Sequence, residues 1–259
     1  MRNIRMTICL AVVILVLAGT VSADLNNGLV AYYPFNGNAD DSVGNNNGTV
    51  YGAQWTAGYI DGALSFDGDG DYVEIADDDS LDLTGGATLA AWINTNSLTT
   101  WQGIVGRWNF AGSPDKESIL LDLGPDLDNK LWFWISTDGT DSTTTNVTSN
   151  LQLTNTWYHV VATYDATTMR LYVNGQEENS TPKSGNIFVS DTEWNIGACN
   201  YGGTPANNHQ KSFFNGLIDD VRIYDRALSS TEVTELYNIP EPATLLLLGL
   251  GVVTLRRKR

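Results

Sequence analysis

WYHVVATYDATTMRLYVNG, residues 157–175, reads as two strands joined by a short turn. Tyr158, Val160, Ala162 and Tyr164 alternate with Trp157, His159, Val161 and Thr163. After a turn at 165–168, Met169, Leu171 and Val173 alternate with Arg170 and Tyr172, and Asn174-Gly175 ends the strand. Period-two alternation of aromatic and β-branched residues, closed by turn formers, predicts an antiparallel hairpin. The Tyr158/Val160/Ala162/Tyr164 set is expected to face a core, and the opposite face is mixed. A lone hairpin is marginal in water, so the rest of the chain must supply a sheet for it.

Working outward, strands are expected at 29–35, 49–52, 63–66, 72–76, 87–94, 103–108, 118–123, 131–136, 187–189, 194–198 and 213–225. Loops rich in Asn, Asp and Gly separate them, above all NGNADDSVGNNNG at 36–48. About a dozen strands, with turn signals about 8–12 residues apart and no linker or repeat, indicate one all-β, two-sheet antiparallel sandwich. Ser229 and Glu232 form a capping box for a short helix ending near Tyr237.

The two ends read as addresses. Residues 1–23 have a basic start (Arg2, Arg5), an apolar run and the small residues Val21-Ser22-Ala23, the pattern of a secretory signal peptide cleaved after Ala23. At the other end, Pro240-Glu241-Pro242 is followed by the uncharged stretch 243–255 and by Arg256, Arg257, Lys258 and Arg259. As a helix that stretch spans about 20 Å, short of the roughly 30 Å hydrocarbon core, so it reads as a weak transmembrane segment. Its basic end favours the cytoplasmic side. Residues 239–259 closely resemble the PEP-CTERM sorting signal of Gram-negative bacteria: the Pro-Glu-Pro motif, the Leu/Gly-rich helix and the basic cluster come in order. The resemblance implies transient membrane association, recognition by an exosortase-type protease, and export to the cell surface or the extracellular space. Residues 24–238 remain as the folded domain.

The chain carries 30 acidic and 14 basic residues, a net charge of -16. Six of the basic residues lie in the two end segments, so the body is more acidic still. Such a body repels nucleic acid and anionic membranes and suits neutral ligands, cations or plain solubility. Cys9 lies in the leader, which leaves Cys199 without a partner for an intramolecular disulfide.

Four blocks carry a second resemblance: YYPFNGNADDSVGNNNGTV near the start, ALSFDGDGDYVEI, the hairpin WYHVVATYD…LYVNG, and FFNGLIDDVRIYDRALSSTEV at the end. Together they resemble LamG-like jelly-roll domains of the concanavalin A-like lectin/glucanase superfamily and cover nearly all of 29–237. The resemblance implies a two-sheet jelly roll.

Strict alternation along 213–225 puts Leu217, Asp219, Val221 and Ile223 on one face. A carboxylate among aliphatic residues is costly unless it is paired, hydrogen-bonded or bound to a metal. The 36–48 loop adds the oxygen donors Asn36, Asp40 and Asp41, and hard oxygens without His or Cys suit Ca²⁺. The family often holds a structural calcium between its first loop and last strand. That implies Asn36, Asp41 and Asp219 as ligands; the alternative is that backbone N–H groups satisfy Asp219. The run Asp67-Gly68-Asp69-Gly70-Asp71 is not an EF-hand, because Tyr72 stands where the loop needs Gly and Asp78 where it needs Glu.

The family's glucanases carry Glu-x-Asp-x-x-Glu on one strand face, and this sequence has none. Neither Glu74 nor Glu117 has a carboxylate at the required spacing, and His159 reads as structural. No enzymatic activity is expected. Trp132 and Trp134 lie opposite Leu131, Phe133 and Ile135, and Trp92 opposite Leu89, Ala91 and Ile93. If those faces are open, the three rings are expected to stack on sugars; otherwise loops cover them. Trp101 and Trp108 could line a loop-end site. The expected function is a secreted, non-catalytic binding or adhesion protein that recognises a glycan or extracellular polysaccharide. The alternatives are a structural matrix protein without a specific ligand and, behind it, a glycan-active enzyme.

Overall fold

The computed structural model describes residues 24–96, 101–109, 116–124, 130–140, 144–153, 155–200 and 211–239. The signal peptide and the sorting tail expected above lie outside them. In chain order the strands are β1 (Leu29–Tyr33), β2 (Gly48–Tyr51), β3 (Gln54–Ala57), β4 (Gly62–Asp67), β5 (Tyr72–Ile75), β6 (Ala87–Thr95), β7 (Gln102–Asn109), β8 (Lys116–Gly124) and β9 (Lys130–Ile135). They continue as β10 (Thr145–Gln152), β11 (Tyr158–Tyr164), β12 (Thr168–Val173), β13 (Gln176–Pro182), β14 (Trp194–Ile196), β15 (Ala198–Asn200), β16 (Lys211–Phe213) and β17 (Asn215–Tyr224), before helix α1 (Ser230–Tyr237). The first sheet runs β13-β12-β11-β6-β17-β4-β3, with β1 also on β17. The second runs β10-β9-β8-β7-β14-β5-β2, with β15 and β16 beside β7. The result is the two-sheet, almost wholly antiparallel sandwich that the alternation predicts.

The hairpin β11–β12 pairs Val160 with Val173, Ala162 with Leu171 and Tyr164 with Met169. All six side chains are buried in the inter-sheet core. Leu89, Ala91 and Ile93 of β6 meet them from the next strand, and Leu121, Phe133 and Ile135 come from the opposite sheet. Each large aliphatic or aromatic side chain so buried contributes about 1.5–3 kcal/mol before chain entropy is subtracted. Asn174 and Gly175 both have positive φ, 50° and 78°, with Val173 opposite Gln176. This two-residue turn carries the chain into β13, so Asn-Gly is a hairpin turn where the sequence reading took it for a strand end. The polar sequence of β13, QEENSTP, hid that strand. The segment 187–189, expected as a strand, is irregular; it is pinned by Ile187 N–H donating to the Thr84 carbonyl and Phe188 N–H to that of Ser136.

One expectation about faces is corrected. A bulge breaks the register of β17 between Asp219 and Arg222, with Asp220 at φ 55°. The extra residue shifts all that precedes it to the other face. Ile218, Val221 and Ile223 share the core, whereas Asp219 lies opposite Trp92 on the outer side of the first sheet.

That outer side is covered by the chain itself. Leu228, and Val233 and Leu236 of α1, pack on Ala90, Val161, Tyr172 and Tyr224. The capping box forms as expected: Glu232 N–H donates to Ser229 Oγ, and Ser229 N–H donates to the Glu232 carboxylate.

Three strand edges are closed by side chains and loops. Tyr32 of β1 donates its N–H to Asp41 Oδ1 and accepts at its carbonyl from Ser42 N–H. β10 and β13 are stapled to each other: Asn150 donates to the Glu178 carbonyl, Asn179 donates to the Thr148 carbonyl, and Leu151 N–H donates to the Glu178 carboxylate.

Candidate functional site

The outer face of the second sheet has a different character. Along β9, Leu131, Phe133 and Ile135 point into the core and Trp132 and Trp134 point out, half-buried. Their rings stack, with centroids 5.3 Å apart and planes 10° from parallel. Trp101 meets both edge-on, at 5.3 Å and 5.9 Å. Trp108 flanks Trp134 at 6.4 Å and is itself buried with Leu120 and Cys199. Beneath the pair lies Asp122, fully buried, which accepts a 2.9 Å hydrogen bond from Trp134 Nε1–H. That bond fixes the indole's orientation. The buried Nε1–H groups of Trp132 and Trp108 have no hydrogen-bond partner among the described residues.

Neighbouring strands complete the surface. β10 places Asn146 opposite Trp134 and Thr148 opposite Trp132, both half-exposed. On β8, Gly124 makes room for the rings: a Cβ there would stand 2.6 Å from Trp101 Cζ3 and from Trp132 Nε1. The arrangement joins flat apolar faces to amide and hydroxyl groups, which suits a ligand with one apolar face and a hydroxylated rim. Gly124→Val is expected to displace Trp101 and Trp132 and to alter the near-ultraviolet circular dichroism of the cluster. The far-ultraviolet spectrum should be unchanged, because residue 124 shares the outer face of β8 with Leu120 and Asp122. An unchanged near-ultraviolet spectrum would refute this packing.

Trp92, expected as a third open ring, is buried. Tyr59 stacks on it at 3.5 Å and 16°, and His159 and Tyr237 close in at 5.1 Å and 5.7 Å. It lies on the outer face that alternation assigns, but α1 and the Tyr59 loop cover that face, so its ring is not open to a sugar. His159 beside it is fully buried with neither ring nitrogen bonded. Burial pushes its pKa down to about 3, and Arg222 adds to the effect.

The three expected metal ligands fall into two groups. Asp219 is fully buried. Its Oδ2 accepts from Ile60 N–H at 2.8 Å, and its Oδ1 has no partner. Desolvation pushes its pKa up to about 7, against the backbone N–H bonds that pull it down. Asn36 grips the same 59–62 loop, its Oδ1 accepting from Gly62 N–H at 2.8 Å. Gly58 allows this close approach, since a Cβ there would lie 2.6 Å from Asp219 Oδ2. Asp41 serves another loop: Oδ1 accepts from Tyr32 and Val43 N–H, and Oδ2 from Asn46 N–H. Asp220, next to Asp219, is satisfied by Arg222 and the Tyr32 hydroxyl. An unpartnered buried carboxylate oxygen is a group that a hard cation would satisfy, and Asn36 binds the same loop two residues away. Among the described residues no cluster of three or more His, Cys, Asp or Glu side chains could hold a metal, so amide and backbone oxygens would have to complete such a shell.

The profile of the concanavalin A-like lectin/glucanase superfamily matches residues 67–234. The chain belongs to that superfamily. A PEP-CTERM protein-sorting motif matches residues 238–259 of the same chain. Among solved structures, the concanavalin A-like domain resembles domain 4 of AbnA, an extracellular arabinanase from Geobacillus stearothermophilus determined with arabinotriose. The identity is 24% and the TM-score 0.61, over 81% of this chain and 98% of that one. It also resembles the binding domain of Paraclostridial Mosquitocidal Protein 1, at 16% identity and TM-score 0.62, over 82% of this chain and 52% of that one. The ligand binding domain of botulinum neurotoxin serotype D, determined with N-acetylneuraminic acid, matches at 16% identity and TM-score 0.60, over 82% and 51%. This chain thus spans about half the length of the two toxin domains. Curated protein sequences give no match. No helix among the described residues is long and apolar enough to cross a membrane, and the expected tail helix lies outside them.

Asp122, Gly124, Asn146 and Thr148 were not anticipated from the sequence. For Asp122 a signal was present: one carboxylate inside the apolar run ILLDLG must have a buried partner.

Proposed function

We propose that this chain is an exported, non-catalytic carbohydrate-binding protein of the cell surface or extracellular matrix of a Gram-negative bacterium. Its PEP-CTERM tail is the substrate of an exosortase-type protease, and the domain carries a structural calcium held by Asp219 and Asn36. Asp41 organises the adjoining loop. Bound there, the ion would neutralise the buried Asp219 carboxylate and tie the 59–62 loop to β17.

The observation that carries the binding reading is the stacked Trp132–Trp134 pair, left half-open on the outer face of the second sheet while the chain's own helix covers the corresponding face of the first. A pyranose or furanose ring laid on these indoles buries its C–H face, and Asn146 and Thr148, half-exposed on the neighbouring strand, offer an amide and a hydroxyl to its rim. The carboxylate at the floor, Asp122, is engaged in orienting an indole, which supports recognition over bond cleavage. The structural neighbours support this reading: two are named as binding domains, and one of these and the arabinanase domain were determined with sugars.

Every described strand and the whole described core lie within 29–237, so residues 24–239 are the unit to test. This unit, applied to a glycan array with Ca²⁺ and with EDTA, is expected to bind one glycan class. A folded protein that stays silent under both conditions would overturn the carbohydrate reading and favour a matrix role.

A further inference from the structure

We propose that β3 is a self-association edge, at which two copies of this chain pair their β3 strands antiparallel about a twofold axis. Sheet edges expose unpaired N–H and C=O groups and are normally blocked by charges, Pro, bulges or covering chain. In this fold β1 is capped by the Asp41 loop, and β10 and β13 are stapled together. β3 has none of these devices. It ends the first sheet, pairing with β4 on one side and with no described strand on the other. All four of its residues, Gln54, Trp55, Thr56 and Ala57, are exposed, and Trp55 keeps 44% of its surface.

Charge identifies the occupant. The chain has a net charge of -16, yet residues 42–60, which contain both β2 and β3, include no charged residue. Two copies of so acidic a protein repel each other across most of their surfaces. The β3 edge itself carries no charge, although Asp61 and Asp71 flank its two ends, so repulsion along the edge is reduced. A basic partner would gain nothing from such an edge and would be drawn to the acidic remainder. An antiparallel strand pair is self-complementary under a twofold axis, so the same patch serves both copies, and each Trp55 lies within cross-strand reach of its counterpart's strand.

Sedimentation velocity on residues 24–239 tests this. Wild type is expected to shift from monomer to dimer with concentration. The dimer should be favoured by added salt, which screens the repulsion between the two bodies. Thr56→Lys and Thr56→Glu are each expected to stay monomeric with unchanged melting temperatures, because residue 56 is exposed. An equimolar mixture of the two variants should dimerise again. Hydrogen exchange should show the amides of 54–57 gaining protection as wild-type concentration rises. A wild type that is monomeric at every concentration would overturn the proposal, as would variants that dimerise like wild type. Failure of the mixture to recover would overturn it too, and none of these outcomes bears on sugar binding by the tryptophan face.

Discussion

Asp219→Asn is expected to raise the melting temperature of the calcium-free protein at pH 8 and to abolish its response to Ca²⁺. The Asp219 carboxyl is fully buried, with one oxygen unpartnered and its pKa raised from 3.8 to about 7. For an acid raised on folding, stability is greatest below the unfolded pKa, near 4, and is lost as pH rises toward 7, because the unfolded chain ionises first. That rise in pKa corresponds to a penalty on the order of 4 kcal/mol at pH 8. Asn keeps an oxygen for Ile60 N–H and carries no charge, so it removes most of that penalty, roughly 10 °C for a domain of this size. Calcium bound by wild type offsets the same penalty by pairing with the ionised carboxylate. Wild type in Ca²⁺ and Asp219→Asn in EDTA should therefore both melt well above wild type in EDTA.

His159 bends the pH profile the other way. Its pKa falls from 6.5 to about 3 on burial, so its stabilising effect is intact above about 6.5 and is lost as pH drops toward 3. The informative quantity is accordingly the difference between Asp219→Asn and wild type at each pH, from which His159 cancels. That difference should grow from pH 4 to pH 8 without calcium. A flat difference would show that Asp219 is not held at a cost, and a calcium response that survives in Asp219→Asn would place the ion elsewhere.

Trp132→Ala is expected to abolish measurable carbohydrate binding with little loss of stability. A half-buried aromatic ring at the centre of a binding face typically contributes ~2 kcal/mol or more, about 30-fold in affinity, and in a shallow site that is most of the total. Trp134→Ala carries a second consequence: it strips Asp122 of its indole N–H donor and leaves a buried carboxylate less well satisfied, at a cost of about 1–3 kcal/mol. Trp134→Phe separates the two effects, since it keeps a stacking face and removes the N–H. Titration calorimetry should then rank wild type above Trp134→Phe and both above Trp132→Ala, while melting temperatures should place Trp132→Ala above Trp134→Ala. Equal affinities across the series would remove the indoles from the site.

The hairpin at 157–175 was readable because both its strands alternate cleanly and one face of each meets the core. The edge strands were not: β3 and β13 bury little, β3 is only four residues long, and the polar sequence of β13 carries no hydrophobic period. On β9 the alternation placed Trp132 and Trp134 correctly. The same logic put Trp92 on an outer face but could not show that Val233, Leu236 and Tyr237 of α1 come back over that face, since that contact joins residues far apart in the chain. Asp219 was misplaced by one bulged residue. A single inserted position leaves no mark on the hydrophobic pattern, and the adjacent Asp219-Asp220 pair was its sole local trace. Asp41 was read by its chemistry as a ligand; in the fold it accepts from two backbone N–H groups of its own loop, Val43 and Asn46, and from Tyr32 of β1.

The most direct test is the set of tryptophan indole ¹H–¹⁵N signals of residues 24–239, assigned by substitution and followed as the glycan identified on the array is added. The signals of Trp101, Trp132 and Trp134 are predicted to move together and saturably, while Trp92 under its helix and Trp194 in the core stay still. Saturable shifts confined to Trp55, Trp92 or Trp157, with the β9 indoles unmoved, would contradict the assignment of the second sheet's outer face as the carbohydrate site.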